Sequence, residues 1–270
     1  MKRPDWAPPS IDISRPHVAR MSDYYLGGDH NFAVDRAAAD KILAAFPQAR
    51  QISRSMRTFQ QRAVRMLLDQ GVRQFLDLGS GIPTSGHVHE IVAAQAPEAK
   101  VLYVDTDPVV LAHGRQIIAG LPRVRMLAAD LCRPKELLTS PELTSFLDLD
   151  QPVALLMLAV LQYIPADHDL TMMAEYRHAL APGSYLALSA LCDEVSTAGQ
   201  REAARLAYRE ANQSLVVRGR SEVASLFTGF ALAEPGLVWV PQWRPETVED
   251  HQHAALGPDM MMMGGVGRLG

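Results

Sequence analysis

The chain has only two cysteines, Cys132 and Cys192, far apart and with no C-x-x-C pair. Two unpaired thiols are therefore expected, and no disulfide framework or structural zinc site. It lacks any apolar run of about 18 residues, which argues against a membrane span. Residues 1–6 lack the apolar stretch of a secretory signal, so a soluble, cytoplasmic protein is expected. Basic residues are not in excess: 26 Lys and Arg face 30 Asp and Glu, for a net charge of −4. No global basic field favours a nucleic-acid partner. No Gly-Lys-Ser/Thr occurs, which argues against a P-loop. What is present is ordinary globular composition, 48% hydrophobic and 21% charged over 270 residues. That is ample for one sizeable core, or for a core with an appendage.

One stretch carries more information than the rest. In Phe75-Leu76-Asp77-Leu78-Gly79-Ser80-Gly81-Ile82-Pro83 an apolar run ends in an acid and breaks into Gly-x-Gly. A buried parallel strand stops this way when its backbone must turn beneath a nucleotide-like ligand, where a Cβ would clash. A second apolar run, Val101-Leu102-Tyr103-Val104, ends in Asp105, 24 residues after Gly81. An acid there can accept hydrogen bonds from both ribose hydroxyls of an adenosine. The dinucleotide fingerprint G-x-G-x-x-G is not completed, because Pro83 and Thr84 stand where its last two positions fall. A ligand without a pyrophosphate is then expected, and a nicotinamide oxidoreductase is the less favoured reading. S-adenosylmethionine fits: Asp77 can hold its ammonium, directly or through water, while the loop backbone faces its carboxylate and adenosine.

Residues 1–70 differ from the remainder of the chain. Prolines punctuate an extended or irregular arm, and a polar, aromatic, glycine-rich loop covers residues 24–32. Helices are expected at 34–46 and 53–70, the second with Phe59, Ala63, Met66 and Leu67 at helical spacing and Gly71 as its stop. From 72 onward strands and helices alternate. Strands are expected at about 74–79, 100–105, 123–128, 153–160 and 184–190, and helices at about 84–96, 108–120, 140–147 and 168–180. Repeated βα units with short connections imply a parallel sheet with helices on both faces. Further helices are expected near 197–213 and 221–227. Two short strands at 230–233 and 237–240, separated by Glu234-Pro235-Gly236, read as an antiparallel hairpin at the sheet edge. The tail, with methionines at 260–263 and then Gly264-Gly265-Val266-Gly267, shows no periodicity and reads as loosely packed. The expected division is a helical arm or lid at 1–70, a cofactor-binding core at 71–245 and a tail at 246–270.

These residues resemble class I S-adenosylmethionine-dependent methyltransferases, and more narrowly the bacterial S-adenosyl methyltransferase family, formerly a domain of unknown function. The marks are Asp12-x-Ser14-Arg15-Pro16-His17, Asp23-Tyr24-Tyr25-Leu26-Gly27-Gly28 with Asn31-Phe32, Phe75-Leu76-Asp77-x-Gly79-Ser80-Gly81-x-Pro83-Thr84 and Tyr103-Val104-Asp105-x-Asp107-Pro108. Further marks are Ala129-Asp130-Leu131, Ala159-Val160-Leu161 and Leu180-Ala181-Pro182-Gly183-Ser184-Tyr185-Leu186. The resemblance implies a Rossmann-like α/β fold: a mostly parallel seven-stranded sheet, helices on both faces and a terminal antiparallel hairpin. It implies S-adenosyl-L-methionine as cofactor, S-adenosyl-L-homocysteine as product, and no agreed acceptor. Two departures stand out. Gln162 occupies a position where such enzymes commonly carry histidine, and Met56 precedes Arg57 where asparagine is expected.

The cofactor-binding candidates are then Asp77, Gly79, Ser80, Gly81, Asp105, Thr106, Asp107, Asp130, Leu131 and Ala159, with Tyr24, Gly28, Asn31 and Arg57 from the arm. Asp130 is placed to accept from the adenine amine while Leu131 offers its backbone N–H. Arg57 suits the methionyl carboxylate, since a guanidinium binds carboxylates through two parallel bonds. Asp105-Thr106-Asp107 also reads as a D-x-D metal motif, a reading the preceding glycine loop makes unnecessary, and no metal is expected. His87 and His89, two apart on an expected helix, should face different sides. Methyl transfer from a sulfonium mainly needs positioning, so a base is optional. His17, His30 and Tyr163 are the candidates if the acceptor is a hydroxyl. The net charge and the lid-like arm favour a small-molecule acceptor over nucleic acid, and no Asn-Pro-Pro-Tyr tetrapeptide of amino-methylating nucleic-acid enzymes is present. The missing histidine at 162 keeps open a SAM-binding sensor without turnover.

Overall fold

The helices that precede the first strand pack through small apolar faces and one buried ion pair. The computed structural model describes residues 7, 9, 11–84, 86–192 and 216–270; the helix expected near 197–213 lies outside the described residues. Helix α1 (Val18–Tyr25) falls where the sequence reads as irregular arm and loop, and it is capped by the His17 side chain. Helices α2 (Ala33–Ala45) and α3 (Ala49–Asp69) follow. Arg20 Nε donates to Asp35 Oδ2 at 2.8 Å, and Asp35 also accepts from the His17 and Phe32 amides, so one buried carboxylate ties α1 to α2. Such a short helix carries little stability of its own. The polar tie, not periodicity, holds α1 in place. In α3, Phe59, Ala63, Val64, Leu67 and Leu68 form one buried stripe. Gly71, at φ +84°, ends it, with Gly71 N–H donating to Leu68 and Val72 N–H to Leu67.

Beyond α3 the βα alternation is as the sequence implies. Strands β1 (Gln74–Leu78), β2 (Lys100–Asp105), β3 (Val124–Ala128), β4 (Ala154–Met157) and β5 (Tyr185–Leu191) run parallel in the order β3-β2-β1-β4-β5. Helices α4 (Val88–Gln95), α5 (Pro108–Ile117), α6 (Pro134–Leu138), α7 (Pro141–Thr144) and α8 (Asp169–Ala179) connect them. Successive strand residues point to opposite faces. Leu76 and Leu78 join Leu102, Leu155 and Leu186 in one core, whereas Phe75 joins Phe59, Val88 and Val101 in the other. Asp77 therefore shares the face of Phe75, toward α3 and α4.

The last part of the chain departs from expectation. After α9 (Arg220–Ser225) come β6 (Phe230–Leu232) and β7 (Val238–Trp239), then α10 (Val248–Ala254) and β8 (Met262–Leu269). The two short strands do not pair as a hairpin. Both pair antiparallel with β8, whose other edge pairs antiparallel with β5. The sheet thus has eight strands rather than seven, and the segment read as loose tail is an interior strand buried from Met262 to Gly267. The glycines that hid it are there because neighbours press close. A Cβ at Gly264 would lie 3.0 Å from Leu188 O, and one at Gly267 would lie 2.8 Å from Phe230 Cβ. Trp243 is fully buried and packs edge-on against Phe59, with ring centroids 5.3 Å apart. Among the described residues, no helix is long and apolar enough to cross a membrane.

Candidate functional site

At the carboxyl ends of β1 and β4 the connections leave toward opposite sides of the sheet, which opens a crevice where ligands of such sheets bind. A cavity of about 500 Å³ lies there, roofed by α1 and α3. Its floor begins with the turn at residues 79–81. Gly79 (φ +68°) and Gly81 (φ +64°) adopt the left-handed conformation that favours glycine. A Cβ at Gly79 would also come within 2.1 Å of Val160 Cγ2. Gly81 N–H donates to Asp105 Oδ2, and Asp107 N–H to Asp105 Oδ1, both at 3.0 Å. The carboxylate at the tip of β2 is thereby locked beside the glycine turn. Burial pushes its pKa above the ordinary carboxylate value, against those two amides.

The remaining floor follows from the strand ends. Ser80, Thr106, Asp107, Asp130, Leu131 and Ala159 all line the cavity. Asp107 caps α5 by accepting from Val109 N–H, and its Oδ2 lies 2.7 Å from His17 Nε2. Asp130 Oδ1 accepts from Cys132 N–H at 2.8 Å. Ala159, at φ +54°, is a non-glycine residue in the left-handed region, with its N–H bound to Ser189 Oγ. That conformation costs on the order of 1–3 kcal/mol and turns the chain after β4 around the cavity wall.

Asp77 does not line the cavity. It lies just beneath, 2% exposed, with Oδ2 lacking any hydrogen-bond partner and 3.9 Å from His87 Nδ1. Burial pushes its pKa up to about 7; Arg57 opposes the shift and Asp105 adds to it. Arg57 does line the cavity, and its Nη1 is likewise buried without a partner. Two unsatisfied groups of opposite charge thus lie close enough to influence one another, Arg57 in the wall and Asp77 behind it. His87 lies just ahead of α4, not inside a helix, so the expectation that it and His89 diverge fails: both imidazoles reach the Tyr103 hydroxyl, at 3.1 and 2.9 Å. His89 N–H donates to the same oxygen at 2.9 Å. Burial, then Arg57, holds His87 well below the usual histidine value, so it is neutral beside Asp77.

The arm candidates separate into two groups. His17, Arg57 and Tyr163 border the cavity. Tyr24, Gly28 and Asn31 do not; they border a second hollow of about 430 Å³ with Arg36, Arg50 and Arg54. Gly28 and Asn31 touch Asp23, which does line the main cavity, whereas the Tyr24 hydroxyl bonds to Asp40. Asn31 Nδ2 donates to Asp23 Oδ2 at 2.9 Å, and a Cβ at Gly28 would meet Asp23 Oδ1 at 2.1 Å. His30 lies against the His113 ring, outside the cavity wall. Sequence reasoning missed Asp23 as a site residue, and missed Met261 and Met262, which line the cavity beside Leu191. An acid directly preceding the aromatic-glycine loop was the available signal for Asp23. For the methionines there was none. Gln162 lines the cavity at 7% exposure, and its Oε1 has no partner. Among the described residues, no group of three His, Cys, Asp or Glu is placed to hold a metal.

With this geometry established, comparison with known proteins is informative. The profile of the S-adenosyl methyltransferase family matches residues 4–270. A candidate methyltransferase from Thermobifida fusca YX is 36% identical, with 98% of this chain and 99% of that chain aligned and a TM-score of 0.87. A DUF574 family protein from Streptomyces avermitilis MA-4680 is 34% identical over 96% of this chain and 99% of that chain, with a TM-score of 0.86. The pyocyanin biosynthetic protein PhzM, at 16% identity and a TM-score of 0.50 over 79% of this chain and 55% of that one, shares the fold alone. No curated protein matches the sequence. A family match over nearly the whole length, on a Rossmann-like class I sheet with an acid at each of two adjacent strand ends, places this chain in the S-adenosyl methyltransferase family, whose methyl donor is S-adenosylmethionine.

Proposed function

We propose that the protein transfers the methyl group of S-adenosylmethionine to a small molecule enclosed between the sheet ends and the N-terminal helices. The observation that carries this reading is Asp105. Its carboxylate is fixed by two backbone amides at the rim of the glycine turn, ready to accept from ribose hydroxyls. Thr106 and Asp107 continue that wall, Asp130 and Leu131 take the adenine edge, and Ser80 and Ala159 close the floor. Arg57, in the cavity wall, suits a carboxylate, and the charge of Asp77 behind that wall favours an ammonium nearby. Gly28 and Asn31 serve the site indirectly, by setting Asp23 in the roof.

When bound, the sulfonium supplies an activated methyl group and leaves as a neutral thioether. The residues of the chain therefore have to orient and to exclude water. In this reading residues 1–70 form the arm and lid, and residues 71–245 supply most of the core. A cavity of about 500 Å³ suits one cofactor with a small acceptor. Thiols rather than a disulfide at Cys132 and Cys192 suit a reducing cytoplasm.

Calorimetry with S-adenosylhomocysteine tests the reading. The protein should bind it, and Asp105→Ala should weaken binding by about 100-fold, the loss of charge-assisted bonds to two hydroxyls. Labelled S-adenosylmethionine with a metabolite extract should then yield a labelled small product. No binding of either nucleoside, or an Asp105→Ala variant that binds as tightly as the parent, would remove the basis of this assignment.

A further inference from the structure

The cavity divides by chemistry. Over β1, β2 and β3 its walls are carboxylates and main-chain amides, with Asp23 and Arg57 above the glycine turn. The part beside β5 and β8 is apolar, built by Met56, Leu191, Met261 and Met262. Methionine walls adapt to the shape of an apolar body. Into this part the turn after β4 sets Gln162, in a short 3₁₀ segment (Leu161–Tyr163) whose backbone is fixed by Val216 N–H donating to Gln162 O at 2.8 Å. Gln162 is 7% exposed, and its Oε1 is buried with no partner. A carbonyl is not left unpaired in a wall without cost. A donor that arrives with a ligand would satisfy it.

Resting on the function proposed above, we infer that Gln162 positions the methyl acceptor, and that the acceptor is an uncharged, weakly basic N–H compound with an apolar ring body, of the arylamine or fused-ring amine class. An amide oxygen accepts a hydrogen bond but does not remove a proton at neutral pH. Among the described residues, no carboxylate or imidazole lines the apolar part of the cavity. An aliphatic hydroxyl would lack a base there. A neutral nitrogen needs none, because its lone pair is already nucleophilic. With its N–H held by Gln162 Oε1, the lone pair is free to point elsewhere. The nitrogen lone pair forms the new N–C bond as the C–S bond breaks and leaves its electron pair on sulfur. The N–H proton then departs from the methylated cation to water. A protonated alkylamine is disfavoured, since it has no lone pair and would have to shed its hydration against an apolar wall.

Three probes of nearly equal shape test this: indoline, which carries a ring N–H, 2,3-dihydrobenzofuran, which has oxygen there and no donor, and 5-indanol, whose donor is a hydroxyl. With S-adenosylhomocysteine bound, the protein should take indoline about tenfold more tightly than dihydrobenzofuran. With labelled S-adenosylmethionine, indoline should be methylated in preference to 5-indanol. Gln162→Leu should erase the indoline preference, and Gln162→Glu, which keeps an acceptor oxygen, should retain it. A merely structural residue would not move that ratio. Equal binding of indoline and dihydrobenzofuran, binding of neither, preferred methylation of 5-indanol, or an intact preference in Gln162→Leu overturns the inference. Titration with S-adenosylhomocysteine alone separates the two levels: if it binds and the N–H preference is absent, only this inference falls.

Discussion

His17 Nε2 lies 2.7 Å from Asp107 Oδ2, and this contact joins the start of α1 to the start of α5 across the mouth of the cavity. The tautomer follows from the partners. His17 Nδ1 accepts from Ala19 N–H, so the ring proton sits on Nε2 and is donated to the carboxylate. Burial alone would raise the Asp107 pKa, yet the hydrogen bond from His17 and the amides of Val109 and Val110 bring it below the ordinary value. Both ring nitrogens are engaged, which makes His17 a fastener of the roof in this arrangement and leaves no open nitrogen to act as a base. His17→Ala should weaken S-adenosylhomocysteine binding by roughly 5- to 10-fold, the worth of one such bond. Calorimetry on the variant reads this directly.

Asp77 should show opposite signs in stability and in binding. Its native pKa is about 7, mainly through burial. The unfolded carboxyl releases its proton near 4, so between about 4 and 7 the native state holds a proton that the unfolded chain has lost. The contribution of Asp77 to stability therefore falls as pH rises through that window. Asp77→Asn should stabilise the cofactor-free protein at pH 8, by on the order of 2 kcal/mol in chemical denaturation. Binding of an ammonium needs the carboxylate, so cofactor affinity should rise with pH through about 7, and the same variant should flatten that rise.

Gly79 is fixed by two separate constraints, its φ of +68° and the 2.1 Å that would separate an added Cβ from Val160 Cγ2. Gly79→Ala should destabilise the protein and suppress cofactor binding. Adding Val160→Ala removes the clash but not the backbone cost of about 1–2 kcal/mol. The double variant should recover part of the loss in thermal melts, and full recovery would mean that the conformation imposes no strain.

Arg62 and Asp250 join α3 to α10 in a buried pair at 2.5 Å, with Arg62 also donating to the carbonyls of Val240 and Trp243. Burial works against the charged carboxyl of Asp250, but the facing Arg62 and the backbone amides of residues 246 and 247 lower its pKa to about 2. That stabilisation is complete above the unfolded carboxyl value near 4 and is lost as pH falls toward 2. Asp250→Ala strands a buried guanidinium and should cost about 3–5 kcal/mol. For a chain of this size that is a fall of roughly 10 °C in Tm. The acid limb of the stability profile should flatten in the same variant.

What the sequence revealed depended on whether a local pattern had a local cause. The ends of β1 and β2 were legible because a strand that stops in an acid and a glycine turn needs no distant partner to be read. The same holds for Gly71, whose left-handed cap closes α3. Helix α1 was hidden because Arg20, Asp35 and His17 hold it through contacts that span 15 to 18 residues. Strand β8 was hidden for a different reason. It is buried on both faces, so no alternation marks it, and its glycines record the nearness of Leu188 and Phe230, not a turn. Within the site, the floor was readable from strand-end acids. The roof was not, because Asp23 reaches the cavity only through the packing of Gly28 and Asn31.

The place of Met262–Leu269 between β5 and β6 has a temporal meaning. Both short strands that precede it in the chain dock only on its outer edge, so neither can settle before it arrives. Its first residue, Met262, also lines the cavity. A ribosome making this protein therefore lays down β1 to β5 well before the strand that completes the sheet, and β6 and β7 stay without their pairing partner until the last residues emerge.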